Sequence, residues 1–284
     1  MRFGANTFIW RSPFSTASDL DLVQKLKGMG FDLIEVAVED PGLIDIGKLN
    51  ETLDSVGMDA IVCGAFGPER NLSSLDKTER QASKDYLYWM IDASEELGGD
   101  VVGGPMYSAV GKARLDDPGD REREWAYAVE GLKELSAYAE PKGVKLAFEP
   151  LNRFETDLVN VVDQGLKLID EVGAPNLGFH LDTFHMHLEE KDSAAAIRKA
   201  GDRIFHFHAC ENDRGVPGTG QVKWQGVFEA LSDVEYDGNV VIESFTPEVK
   251  SIARAVCIWR EIAPSQDAIA RDGLKFIKSF PEMN

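Results

Sequence analysis

Short apolar runs alternate with longer amphipathic stretches along the whole chain. The short runs are rich in β-branched residues and predict eight β-strands, at 2–10, 32–38, 59–66, 100–106, 144–149, 177–182, 204–210 and 239–245. The longer stretches have the helical period and predict helices, at roughly 17–29, 46–56, 83–97, 121–139, 158–172, 192–200, 225–231 and 248–262. Eight strand–helix pairs in unbroken alternation are typical of a (β/α)8 TIM barrel, an α/β fold.

The same pattern indicates one domain rather than several. Neither a low-complexity linker nor a charge block divides the chain, so we expect a single barrel over residues 1–284, with a C-terminal helical extension from about residue 264 packed on its outside. A doubly wound open sheet is the competing architecture, but it usually has fewer strands and often a G-x-G-x-x-G turn. No such motif follows the first strand, and the phosphate-binding motif G-x-x-x-x-G-K-[ST] does not occur.

Composition and charge limit the classes of protein to which this chain can belong. Apolar residues make up 43% of the 284, enough for one large core, which excludes intrinsic disorder as a description of the chain. The formal net charge of −19, from 30 basic and 49 acidic side chains, repels nucleic acids and anionic lipids. No apolar run approaches the roughly 20 residues of a membrane-spanning helix. The three cysteines form no Cys-x-x-Cys pair. We therefore expect a reduced, cytoplasmic protein with no nucleic-acid or membrane partner.

Polar, metal-ligating side chains end four successive predicted strands. They are Glu149, Asp182, His208 and Glu243. The carboxyl ends of the strands of a closed barrel meet at one rim, where barrel active sites lie, so these side chains can converge. Three carboxylates and one imidazole suit Mn²⁺, Mg²⁺ or Co²⁺. The alternative is that each is a solvated charge at a strand end, but burying three carboxylates together is costly unless a cation or protons offset the repulsion.

The histidines point to the same rim. All five lie between residues 180 and 208. His206 and His208 share one strand face because side chains alternate with period two; His208 is nearer the carboxyl end and is the better ligand. His206 and His180 lie one layer deeper, where a hydrogen-bonded core position is at least as natural, and His187 is predicted at the surface.

Several motifs resemble one enzyme family. They are FEPLNRFE at 148–155, LDTFHM at 181–186, HFH at 206–208 with Arg214 following, VPG at 216–218 and the Ile-Glu pair ending at Glu243. In these motifs the chain is similar to the ketose 3-epimerases, the D-tagatose/D-allulose (psicose) 3-epimerase group of the xylose-isomerase-like TIM barrels. The resemblance runs along nearly the whole chain and includes 30–35 and 71–74.

The resemblance implies a site and a reaction. A divalent metal, usually Mn²⁺, would be held by Glu149, Asp182, His208 and Glu243. The two glutamates would also act as acid and base on opposite faces of a free ketose, epimerised at C3 through a metal-stabilised enediolate. The matching substrate-binding positions are Glu155, His185 and Arg214. The family is usually dimeric or tetrameric, which implies a homodimer or homotetramer.

The sequence also departs from the family. Asn6 and Thr7 stand where relatives have aromatic residues that contact the far end of the sugar, which leaves Trp10 and Phe66 as candidate apolar walls. The loop at 108–119 is long enough to form a lid or is an ordinary surface loop. Other reactions stay open: an aldose/ketose or hydroxypyruvate-type isomerase, a keto-sugar or inosose dehydratase or lyase, or a non-catalytic sugar-binding barrel.

Overall fold

The fold is a closed barrel of eight parallel strands. The computed structural model describes residues 1–113 and 117–280. The strands follow chain order around the barrel, and β1 closes it by pairing with β8. They are β1 Arg2–Asn6, β2 Leu33–Val38, β3 Asp59–Gly64, β4 Val101–Gly104, β5 Lys145–Phe148, β6 Leu177–Asp182, β7 Ile204–Ala209 and β8 Asn239–Ile242. The predicted single-domain (β/α)8 barrel is thereby confirmed.

Helices follow the strands and cover the outside of the barrel. The α-helices are α1 Asp21–Met29, α2 Ile46–Val56, α3 Lys77–Glu96, α4 Pro118–Ala139, α5 Val162–Val172, α6 Thr183–Glu189, α7 Ser193–Ala200, α8 Trp224–Asp233, α9 Lys250–Ala255 and α10 Gln266–Ile277. Short 3-10 helices span Thr7–Ile9, Pro41–Leu43, Glu140–Lys142 and Gly201–Arg203. The α-helix α2 illustrates how the helices are capped. The Asp45 side chain accepts from the Lys48 amide at its start, and Gly57 ends the helix at φ 62°.

Six of the eight strands end before the predicted apolar runs do, whereas β2 and β6 end at the predicted residues, Val38 and Asp182. The first was predicted over 2–10 but ends at Asn6, because the Asn6 side chain accepts a hydrogen bond from the Phe8 amide and starts a 3-10 turn. The helix α6 was missed altogether. Asp182 ends β6 and caps α6 by accepting from the Phe184 amide at 2.7 Å, so strand and helix follow without a loop.

The barrel interior is divided into an apolar floor and a polar layer above it. Five buried residues form the floor: Leu33, Ile61, Val101, Ala147 and Val241. Glu35 follows Leu33 by two positions and therefore points to the same interior, one layer nearer the carboxyl ends. It is completely buried, as are His180, His206 and His208. Ionisable groups begin immediately above the apolar floor.

The last helix secures the seam between β1 and β8. Gln266 donates from Nε2 to the carbonyl oxygens of Ile9 (2.6 Å) and Phe245 (3.2 Å), which follow the two strands. Trp10 donates from its indole to Asp267 at 2.7 Å. The helix α10 thus joins both ends of the strand series. Within residues 1–113 and 117–280, no helix has the length and apolar character needed to cross a membrane.

Candidate active site

A cavity of about 360 Å³ opens at the carboxyl ends of the strands. Glu149 and Glu243 line it, each one residue beyond a strand, β5 and β8 respectively. Asp182 ends β6, and His208 is the penultimate residue of β7. Four consecutive strands therefore deliver the four predicted ligands to one end of the barrel.

The four side chains lie close together. One ligand atom each of Glu149, Asp182 and His208 lies within 4.8 Å of the other two. The His208 Nδ1 atom is 3.6 Å from Glu243 Oε2, which connects the fourth side chain to this group. Arg214 donates from Nη1 to Asp182 Oδ2 (2.8 Å) and to Glu243 Oε2 (2.7 Å). The arginine thus bridges two of the carboxylates in a buried setting.

Burial and neighbouring charges separate the pKa values of the carboxyl groups. Burial raises the pKa of Glu149 well above its usual range, and the charges of Glu243 and Asp182 raise it further. Burial also raises the pKa of Asp182 to about 6, against the opposing effect of Arg214. Burial would raise the pKa of Glu243 as well, but His208 and Arg214 hold it below its usual range. In the metal-free protein these shifts favour the protonated form of Glu149 and the ionised form of Glu243.

These residues fit a divalent cation. The His208 Nδ1 atom is buried and has no hydrogen-bond partner among the described residues, although it points to the carboxylates. Burial alone would lower the pKa of His208, but the negative charges of Glu35 and Glu243 raise it well above its usual range, so the field around this side chain is negative. One imidazole nitrogen and three carboxylates are the ligand set expected for Mn²⁺, Mg²⁺ or Co²⁺.

The predicted sugar-binding residues also line the cavity. They are Glu155, His185, Arg214 and Phe66. His185 accepts from the Asn152 amide at Nδ1 (3.0 Å), so the neutral ring carries its proton on Nε2, and this nitrogen lies 3.5 Å from Glu149 Oε1. Burial lowers the pKa of His185 well below its usual range, and Arg214 lowers it further, so its imidazole is neutral. The histidine is therefore a fixed hydrogen-bond donor beside Glu149.

Trp10 does not lie in the cavity, contrary to the expectation that it forms an apolar wall. Its indole is held by Asp267 at the seam, and it is absent from the cavity lining. The side chains of Asn6 and Thr7 do not line the cavity either. Asn6 donates to Glu35, and Thr7 accepts from the Ala37 amide. The apolar wall on this side comes instead from Phe8, which sequence reasoning missed.

Further polar residues belong to the site but were not singled out from the sequence. Asn152 orients His185 and donates to Glu155 at 2.8 Å. Cys63 lines the cavity. Glu35 lies beneath it, and its signal was visible as a single charge inside the apolar run LIEVAV of β2. The deeper positions of His180 and His206 agree with the prediction, and His187 is exposed as predicted.

The loop that follows β4 is fastened to the barrel where the structure describes it. The Gly111 amide donates to the Glu155 carbonyl at 2.7 Å. Lys112 is buried between Glu124 (2.7 Å) and Asp157 (2.8 Å). The loop at 108–119 includes residues 114–116, which lie outside the described residues. Both interpretations of this loop, a lid and an ordinary surface loop, stay open.

Comparison with known proteins identifies the class to which this barrel belongs. The sequence profile of the xylose isomerase-like TIM barrel family matches residues 23–280, and the chain belongs to this family. Within it the chain is 36% identical over 284 residues to a probable ketose 3-epimerase of Synechocystis sp., covering 100% of this chain and 98% of the relative. The predicted ketose 3-epimerase family is confirmed, and with it the enzyme class, the carbohydrate epimerases among the isomerases.

Two further relatives are similar to this chain over nearly its full length. An L-ribulose 3-epimerase of Methylomonas sp. is 32% identical over 280 residues, which are 98% of this chain and 97% of the relative. The crystal structure of a D-allulose 3-epimerase from Methylomonas sp. in complex with D-allulose is similar with a TM-score of 0.92 and 31% identity, over 98% of this chain and 96% of that one.

Proposed function

We propose that this protein epimerises free ketoses at C3 with Glu149 and Glu243 as the acid/base pair. The observation that carries the proposal is that Glu149 and Glu243, one residue beyond β5 and β8, line the same cavity; burial and neighbouring charges also shift their pKa values in opposite directions. Environments that push two pKa values apart assign one group as acid and the other as base. The two glutamates follow β5 and β8, which are separated by two strands, so they approach a bound sugar from different sides.

The proton transfers follow from these assignments. The ionised Glu243 takes the proton from C3, which is acidic because the neighbouring C2 carbonyl accepts the electron pair. The negative charge that develops on O2 is stabilised by fixed donors, and Arg214 and the neutral His185 are the donors that line the cavity. The protonated Glu149 returns a proton to the opposite face of C3. The reverse reaction uses the two groups in the opposite order.

A divalent ion held by Glu149, Asp182, His208 and Glu243 would act as a Lewis acid toward the oxygens next to C3. Mn²⁺ is the proposed ion, and Mg²⁺ and Co²⁺ suit the same ligands. Glu155 and His185 hold the sugar at the reacting end, and Phe66 and Phe8 provide apolar surface. We further propose a cytoplasmic homodimer or homotetramer, in keeping with the family predicted from the motifs.

The relatives' names indicate which sugars to examine. The proteins named L-ribulose 3-epimerase and D-psicose 3-epimerase are 32% identical to this chain. The test strips the protein with a chelator, restores Mn²⁺, and follows L-ribulose, D-fructose, D-allulose and D-tagatose in D₂O. Metal-dependent deuterium incorporation at C3 together with the C3 epimer is the expected result. Exchange at C1, a C4 epimer, or elimination would replace the proposal with another reaction of the same site.

A pair of variants tests whether the reaction depends on the Glu243 carboxylate. Glu243→Gln keeps the size of the side chain but removes the base, so C3 exchange should fall by about 10²-fold or more. Glu124→Gln is the matched control, because Glu124 is equally buried but binds Lys112 outside the cavity. Normal exchange in Glu243→Gln would overturn the assignment of the base.

A further inference from the structure

A buried carboxylate beneath the site connects two histidines. Glu35 accepts from His206 Nε2 through Oε2 (2.5 Å) and from His208 Nε2 through Oε1 (2.7 Å). Asn6 adds a third donor, 2.6 Å from Oε1. All four residues are completely buried. The carboxylate therefore has no access to water and depends on these three donors for its stabilisation.

These hydrogen bonds determine how His208 is oriented. A carboxylate with three donors only accepts, so His208 must carry a proton on Nε2. The Nδ1 atom is then the nitrogen available to a cation, and it points to the predicted ligands, 3.6 Å from Glu243 Oε2. No protein group satisfies Nδ1 among the described residues. A rotated or flipped ring would lose the bond to Glu35 and leave a buried anion with one fewer donor.

We propose that Glu35 is a positioning residue that selects the Nε2-protonated form of His208 and thereby presents Nδ1 as the metal ligand. His206 holds the second oxygen of the same carboxylate and keeps its plane fixed. The inference rests on the proposed metal-dependent function, and it concerns a residue outside the ligand set. Burial of the Glu35 charge costs desolvation free energy, and an apolar side chain at this position would avoid that cost by continuing the floor formed by Leu33 and its neighbours. A purely structural role therefore does not explain a glutamate here.

The primary test is the affinity of the chelator-stripped protein for Mn²⁺, measured by titration calorimetry. Glu35→Gln can serve only one imidazole as acceptor, because its amide nitrogen is a donor. Loss of such an outer-shell partner typically costs 10–100-fold in metal affinity, and that range is expected here. Glu124→Gln is the matched control: it removes an equally buried charge that binds Lys112, and it should leave the affinity unchanged.

A double-mutant comparison separates a positioning role from general damage. His208→Ala keeps three carboxylates and should bind Mn²⁺ weakly. If Glu35 acts through His208, adding Glu35→Gln to His208→Ala changes the affinity no further. An undiminished effect in that background would overturn the proposal, and so would wild-type affinity in Glu35→Gln.

A measurement on the wild-type protein covers the case in which the variant fails to fold. Long-range ¹H–¹⁵N spectra of the histidine rings, recorded with saturating diamagnetic Mg²⁺, should show His208 protonated at Nε2 and not at Nδ1. A proton at Nδ1 in the loaded protein would overturn the proposal. Weakened Mn²⁺ binding in Glu35→Gln without any ketose exchange in wild type would support Glu35 and refute the epimerase. Wild-type protein that binds neither ion would refute both.

Discussion

Arg214 neutralises the acidic end of the barrel, and its removal offers a sharp test of the electrostatic account. The proposed variant is Arg214→Met, which keeps the length of the side chain but removes its charge. Two carboxylates, Asp182 and Glu243, would lose a donor at 2.8 and 2.7 Å in a buried site. Both would then face each other and Glu149 without a fixed cation.

The magnitude follows from the burial of all partners. Arg214 is 5% exposed, Asp182 1% and Glu243 7%, so solvent screens this contact little. Removing one partner of a buried pair typically destabilises a protein by about 3–5 kcal/mol. At about 2–4 °C per kcal/mol, the Tm of the metal-free protein should fall by about 6–20 °C. Arg198→Met is the control, since Arg198 and Asp233 form an exposed pair worth about 1 kcal/mol or less.

The decisive assay compares thermal unfolding of both proteins with and without Mn²⁺. A cation bound by the same carboxylates replaces part of the lost positive charge, so Mn²⁺ should raise the Tm of Arg214→Met more than that of wild type. At a free Mn²⁺ concentration 100 times the wild-type Kd, binding stabilises the wild-type protein by about 2.7 kcal/mol, and a variant with a lower Kd is stabilised by more at the same concentration. An equal Tm difference in both conditions would refute the idea that Arg214 and the metal neutralise the same charges.

Three further predictions test the site and the packing of the fold. Protons compete with Mn²⁺ for Asp182, whose pKa burial raises to about 6; lowering the pH from 7 to 5 should weaken Mn²⁺ binding, and calorimetry in buffers of different ionisation enthalpy should show proton release. Gly165→Ala should destabilise the protein by about 1–3 kcal/mol, because the new Cβ would lie 2.2 Å from the ring of Phe179. Gly28→Ala, where a Cβ meets no atom within 4 Å, should instead stabilise α1 by about 0.5–1 kcal/mol in denaturant unfolding. Equal effects of the two glycine substitutions would contradict the packing argument.

The position of the site could be predicted because it depends on strand order alone. Once eight strands form a barrel, the residues at their carboxyl ends must meet, and this was enough to bring Glu149, Asp182, His208 and Glu243 together. Contacts between loops carry no such periodic signal. The hydrogen bond from Trp10 to Asp267 joins residues 257 positions apart, and no pattern in either segment predicts it.

The boundaries and the polar layer of the barrel were harder to predict for physical reasons. Apolar residues continue past the strands because the turns that follow are also buried, so the run from 2 to 10 hides the end of β1 at Asn6. The role of Glu35 depends on the register between strands, because the register decides which side chains share its layer of the barrel interior. The alternation of apolar and polar residues within one strand does not encode that register. A charge inside an apolar strand marks such a residue, but its partners appear only in the folded barrel.

Because β1 pairs with β8, the first strand of the barrel gains its second neighbour only from the last part of the chain. The Arg2 and Asn239 side chains that meet across this seam are 237 positions apart, and α10 then fastens both strands. During synthesis, residues 1–238 have no partner for the open edge of β1, so an exposed strand edge persists until β8 emerges. Nascent chains halted before residue 239 should therefore be more sensitive to protease than the full-length chain.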